Sequence, residues 1–190
     1  MRHVISALVM NEPGVLARVA GMFSARGFNI DSLVVGRTEN DELSRMTIVV
    51  TADDNTLEQV RKQLGKLVEV VKVRDFTGSA YVERDLLLAS VSVGPEKRGE
   101  VIEIVSLFRG HVVDVAKESL TIELSGTEEK LEALIELLKP YGILELARTG
   151  VISMGRGAQR VKEKQPLVAG KSKSRTRKLD APPAPALPPS

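Results

Sequence analysis

The run from His3 to Met10 alternates apolar and polar positions and is rich in β-branched residues, which predicts a strand with one face buried. From Gly14 to Arg26 the period changes. Val15, Leu16, Val19, Ala20, Met22 and Phe23 fall at helical spacing, and Gly27 supplies the stop. Asn29 to Thr38 and Ser44 to Thr51 then read as two strands around the polar turn Glu39-Asn40-Asp41-Glu42, a hairpin by pattern. Asp53-Asp54-Asn55-Thr56 offers N-cap residues to a helix whose apolar face is Leu57, Val60, Leu64 and Leu67, and Val68 to Phe76 closes the unit as a strand. The order is β-α-β-β-α-β, the split βαβ or ferredoxin-like arrangement.

About eighty residues further on the same order begins again. Asp85 to Val93 predicts a strand, and Pro95 to Arg109 a helix with Val101, Ile102, Val105 and Phe108 inward. Val112 to Glu118 and Leu120 to Ser125 form a second hairpin pair. Glu128 to Lys139 is a helix bearing Leu131, Leu134, Ile135 and Leu138, and Ile143 to Thr149 is the last strand. The two modules share pattern and very little sequence. The expected organisation is α+β: a first ferredoxin-like module over 1–78, a linker over 79–84 and a second module over 85–157. Patterning ends beyond Gly157. Lys171 to Lys178 alternates basic and hydroxyl residues and Ala181 to Ser190 is mostly Pro and Ala, so 158–190 is expected as a disordered tail.

Charge sharpens this division. Nine of the 27 basic residues lie from Arg156 onward against Glu163 and Asp180, which leaves the body with 18 basic and 23 acidic residues, a net −5. The high isoelectric point therefore belongs to the tail. A nucleic-acid-binding domain should instead carry a basic face and stacking aromatics, and nucleic acid is not expected as a partner. There is no cysteine, which removes disulfides and thiolate chemistry and fits a reducing compartment. No uncharged apolar run approaches the length of a membrane span, and Met1-Arg2-His3 leads into a patterned strand rather than a signal peptide. The expected location is the cytoplasm, with no membrane partner.

Catalytic chemistry has few candidates. His3 and His111 each open a predicted strand, where a solvent-facing imidazole is expected. Asp53-Asp54 and Glu128-Glu129 stand at predicted helix starts, where carboxylates complement the dipole. Ser32, Ser44 and Ser90 have no evident base, and Gly155-Arg156-Gly157 has no following helix to make a dinucleotide site. No metal site and no bound cofactor are expected in this chain.

Binding has better candidates. Asn11-Glu12-Pro13-Gly14-Val15-Leu16 joins the first strand to the first helix, whose opening N–H groups lack intrahelical partners and attract anions. Pro13 presets a helical φ, and Gly14 lets a ligand approach the backbone. Asn29, where the second strand begins, is either a neighbour of the helix C-cap or, with Asn11, an amide suited to the ammonium and carboxylate of an amino acid. An ordinary strand-to-helix turn would show the same loop residues.

Asn11-Glu12-Pro13-Gly14-Val15-Leu16, followed by Val19, Phe23 and Gly27-Phe28-Asn29-Ile30, resembles the signature of the ACT family of amino-acid-sensing domains. Together with Arg26, the run Ser44-Arg45-Met46-Thr47-Ile48-Val49-Val50, and Tyr141-Gly142-Ile143-Leu144-Glu145 with Arg148-Thr149-Gly150, the chain resembles the small, regulatory subunits of acetolactate synthase (acetohydroxyacid synthase). The resemblance runs from Met1 to Gly157. It implies a partner, the catalytic large subunit, which uses thiamine diphosphate, magnesium and FAD to condense two pyruvates, or pyruvate with 2-oxobutyrate. It also implies that this chain has no catalytic site, activates that subunit and confers feedback inhibition by a branched-chain amino acid, usually valine.

By the resemblance, Asn11, Gly14, Val15, Leu16, Asn29 and Ile30 form the effector site between two ACT domains of a homodimer, with activation assigned to Ser44 to Val50 and the second module. Ala17 stands where relatives often have serine, and Arg37 where many have proline. The alternative reading is a stand-alone ACT-type sensor or transcriptional regulator with a nucleic-acid-binding tail, for which no helix-turn-helix pattern is present.

Overall fold

The computed structural model describes residues 1–157, so the stretch 158–190, with the disorder expected for it, lies outside the described residues. The first module is built from β1 (Arg2–Met10), α1 (Val15–Ser24), β2 (Ser32–Arg37), β3 (Leu43–Thr51), α2 (Asp54–Leu64) and β4 (Val70–Asp75). Its strands lie in the order β2-β3-β1-β4, all neighbours antiparallel, with β2 at one edge. Strand periodicity explains which side is filled. Ile5, Ala7 and Val9 of β1 pair beside Met46, Ile48 and their neighbours on β3, and this face closes on Val15, Val19, Met22 and Phe23 of α1 and Leu57, Val60 and Leu64 of α2.

Each helix starts for a local reason. α1 follows Gly14, whose φ of 87° lies in the left-handed region that favours glycine. α2 follows Asp53, whose carboxylate accepts the Thr56 N–H at 2.7 Å, and that bond holds its pKa below the ordinary value.

The second module repeats the plan with β5 (Tyr81–Ser92), α3 (Arg98–Leu107), β6 (His111–Val115), β7 (Ser119–Gly126), α4 (Glu128–Leu138) and β8 (Ile143–Arg148), in the order β6-β7-β5-β8. Leu87, Ala89 and Val91 of β5 and Leu120, Ile122 and Leu124 of β7 meet Val101 and Val105 of α3 and the leucines of α4. Two ferredoxin-like α+β modules in tandem are thus the architecture.

The structure departs from the pattern in several places. α3 starts at Arg98 rather than Pro95, and Ile102, one residue round the helix from buried Val101, is 41% exposed. α2 stops at Leu64 and Val68 is outside any strand. His3 does not face solvent: it is buried, its Nδ1 is 2.9 Å from the Thr77 hydroxyl and its Nε2 3.1 Å from the Ala52 carbonyl. A carbonyl only accepts, so Nε2 carries the proton and the ring ties the start of β1 to the segment after β4.

The largest departure is at the junction. Of the expected linker 79–84, residues 81–84 open β5 and pair with an unexpected strand, β9 (Ile152–Gly155). The chain after β8 therefore turns back across the face of the first sheet that carries no helix. There Val151 and Tyr81 close over Val4, Val49 and Phe76 in a third apolar cluster. Arg2 of β1 crosses the same junction to Glu83 at 3.2 Å and to Glu128, at the start of α4, at 2.7 Å.

Candidate functional site

The loop Asn11 to Gly14 leaves the end of β1 and is held by the turn between β2 and β3. Asn11 N–H donates to the Glu42 carbonyl at 2.7 Å, its side-chain amide donates to the Asp41 carbonyl at 2.9 Å, and the Ser44 hydroxyl donates to its Oδ1 at 3.1 Å. Both ends of this amide are engaged, and only one side-chain N–H remains. Asn11 shapes the loop more than it reaches outward.

Past Gly14 the backbone is open. No side chain caps α1, and the first helical bond is Arg18 N–H to the Gly14 carbonyl at 3.0 Å. Val15 N–H points back to the Glu12 carbonyl at 3.4 Å, which leaves the N–H groups of Leu16 and Ala17 without an acceptor among the described residues. The Val15 side chain is buried in the core, whereas Leu16 is 46% exposed. Arg18, which the sequence reading passed over, sits one turn on. Its guanidinium is paired with Glu69 at 3.0 Å and lies 3.8 Å from where a Cβ on Gly14 would stand. Its i+4 spacing from Gly14 was the available signal.

Asn29 and Ile30 are elsewhere in the same chain. Asn29 donates to Asp31 at 2.9 Å and its Oδ1 has no partner among the described residues; with Phe28, Thr51, Asp53 and Thr56 it lines a recess of about 310 Å³. Ile30 packs partly against the core. The ten-residue helix α1 spans about 15 Å and separates this end from the Gly14 loop. One chain therefore brings Asn11, Gly14, Val15 and Leu16 together, and Asn29 and Ile30 together, but not the two groups.

Several of the other candidates have structural partners, and the His111 side chain has none among the described residues. Ser44 binds Asn11, Ser32 accepts from Val151 N–H at 3.2 Å, Asp53 caps α2, Glu128 pairs with Arg2, and His111 is exposed. Among the described residues no group of three or more His, Asp or Glu converges to hold a metal ion, and no helix is long and apolar enough to cross a membrane. The segment 44–50, expected to act in activation, is the interior of β3 and is buried except for half-buried Arg45. A buried central strand offers a partner almost no surface.

Comparison with known proteins agrees with both modules. Residues 5–72 match the family model described as the AHAS small subunit-like ACT domain, and residues 84–157 match the one described as the small subunit of acetolactate synthase. A probable acetolactate synthase small subunit of Archaeoglobus fulgidus is 57% identical over 157 residues, covering 83% of this chain and 98% of its own. The acetolactate synthase small subunit of Mycolicibacterium smegmatis is 55% identical over 155 residues, covering 82% and 91%. Among solved structures, the acetolactate synthase small subunit of Thermotoga maritima superposes with a TM-score of 0.76 at 44% identity, covering 83% of this chain and 98% of that one. With an ACT module in front, a second ferredoxin-like module behind and relatives aligned across both, the chain belongs to the family of acetolactate synthase small subunits.

Proposed function

We propose that this chain, in the cytoplasm, activates a catalytic large subunit and makes it sensitive to valine through a site built by two copies of the ACT module. The observation that carries the reading is the uncapped start of α1 at Gly14, where the Leu16 and Ala17 N–H groups have no acceptor among the described residues, in a member of this family.

Topology supplies the second half. β2 is an edge strand parallel to β1, so its Arg37 end lies at the same end of the sheet as the Gly14 loop. Antiparallel pairing of two β2 strands about a twofold axis places the partner's first β2 residues, with Asn29 and Ile30 just ahead of them, beside that loop. In this arrangement the N–H groups of Leu16 and Ala17 take the effector carboxylate. The Asn29 amide takes the ammonium, and Leu16 and Ile30 enclose the aliphatic body.

The large subunit carries thiamine diphosphate, magnesium and FAD, and this chain supplies no group to the chemistry. Its docking surface is assigned to the second module, where Leu107, Val113, Val115 and Leu144 are more than half exposed. Reconstitution tests the reading. Adding the chain to its large subunit should raise acetolactate formation several-fold, valine should reverse most of that gain, and calorimetry should give one valine per chain, tighter than leucine or isoleucine. An unstimulated large subunit, or stimulation that valine does not touch, counts against it.

A further inference from the structure

β2, the strand into which Asn29 and Ile30 lead, is touched directly by the second module, and we infer that this contact transmits the effector state. The inference rests on the effector reading above. We assign it to the turn Thr149-Gly150-Val151, between β8 and β9. Val151 N–H donates to the Ser32 hydroxyl at 3.2 Å, and the Val151 side chain is buried against Val4, Val49 and Phe76. Gly150 packs so close to β2 that a Cβ there would stand 2.6 Å from Ser32 Oγ and 2.9 Å from Val34 Cγ2, and its φ is 85°. Glycine is required twice over, by the backbone conformation and by the approach.

The far side of the turn is fixed to the second module. Asp85 of β5, 3% exposed, accepts Gly150 N–H at 3.0 Å and the Thr149 hydroxyl at 3.2 Å on one oxygen. Its other oxygen takes two bonds from the Arg148 guanidinium, at 2.9 and 2.7 Å, and Arg148 continues to Glu132 on α4. Burial works against the charge of Arg148, but its bonds to Asp85 and then Glu132 outweigh this and raise its pKa.

A shift of β2 on closing over an effector cannot be absorbed by slack in such a contact. It must move the 149–151 turn and, through Asp85 and Arg148, the sheet and helix that carry the second module. Binding at the ACT interface is thereby linked to the orientation of the module that meets the large subunit, and the coupling is reciprocal.

The test separates binding from inhibition in the full chain assembled with its large subunit. Gly150→Ala should bind valine within about twofold of the wild-type affinity by calorimetry, while valine inhibition of the complex falls at least fivefold in sensitivity, the lower end of typical couplings. Ser32→Ala, which removes only the hydroxyl, should do the same to a smaller degree, about two- to threefold, and carries the test if Gly150→Ala does not fold. Undiminished inhibition in both variants, or in Ser32→Ala alone if Gly150→Ala does not fold, overturns the coupling. A wild-type chain that binds no valine overturns the effector reading and this inference with it.

Discussion

Gly14→Asp should abolish valine inhibition while leaving activation of the large subunit within about twofold of wild type. Space is not the reason: a Cβ at position 14 meets nothing nearer than the Arg18 guanidinium at 3.8 Å. Nor is stability. Aspartate tolerates left-handed φ better than most residues and is favoured beside a helix start, so the strain, about 1 kcal/mol, is largely offset. The effect comes from competition. A carboxylate tethered at position 14 sits beside the Leu16 and Ala17 N–H groups that the effector carboxylate needs, and it repels a second anion. Valine affinity should fall at least a hundredfold, and because the second module is untouched the activating surface survives. Titration calorimetry and a reconstituted activity assay check the two halves separately. A variant still inhibited at wild-type valine concentrations places the effector elsewhere.

The second large effect is on stability. Asp85→Ala removes the acceptor for four hydrogen bonds, from Arg148 twice, Thr149 and Gly150, and leaves a quarter-exposed guanidinium with Glu132 alone. Removing one partner of a buried ion pair costs about 3 kcal/mol, mostly because the other polar groups remain desolvated. For a chain of this size that is a fall in Tm of roughly 10 °C. Asp85→Asn should recover part of it, since an amide oxygen still accepts Gly150 N–H. A Tm within 2 °C of wild type for Asp85→Ala would mean that the 149–151 turn does not depend on this carboxylate.

Asp85 and Arg148 also show where sequence reading stops. The two ferredoxin-like modules were legible because their cores rest on local periodicity: Val15, Val19, Met22 and Phe23 on one helix, Leu131, Leu134, Ile135 and Leu138 on another. The Gly14 loop was legible because Pro and Gly at a strand-to-helix boundary have few conformations open to them. Asp85 and Arg148 lie 63 positions apart and read as ordinary charged strand residues. Their pairing is a consequence of the register between β5 and β8, which no local pattern encodes. β9 was invisible for a related reason. Four residues, Ile152 to Gly155, carry no periodic signal, and they form a strand only because Tyr81 to Arg84 offers an edge. His3 opens a predicted strand, where a solvent-facing imidazole is expected, and its covering by Thr77 and Ala52 is tertiary.

The candidate site was half legible. Its residue types were evident, but the engagement of Asn11 by the β2–β3 turn and the burial of the Val15 side chain were not. Those findings shift recognition onto the Leu16 and Ala17 backbone and onto Asn29. Helix α1 separates the Gly14 loop from Asn29 and Ile30, so the effector site proposed above requires two chains.

Mixed dimers test the requirement for two chains. Chains carrying Gly14→Asp and chains carrying Asn29→Ala, differently tagged, are co-expressed and the mixed dimer isolated. In a site shared between chains, one of its two pockets receives Gly14 from one chain and Asn29 from the other and is intact. Neither parent dimer should bind valine measurably, and the mixed dimer should bind one valine per dimer with wild-type affinity. A mixed dimer that binds no valine would contradict a pocket built from two copies of this chain.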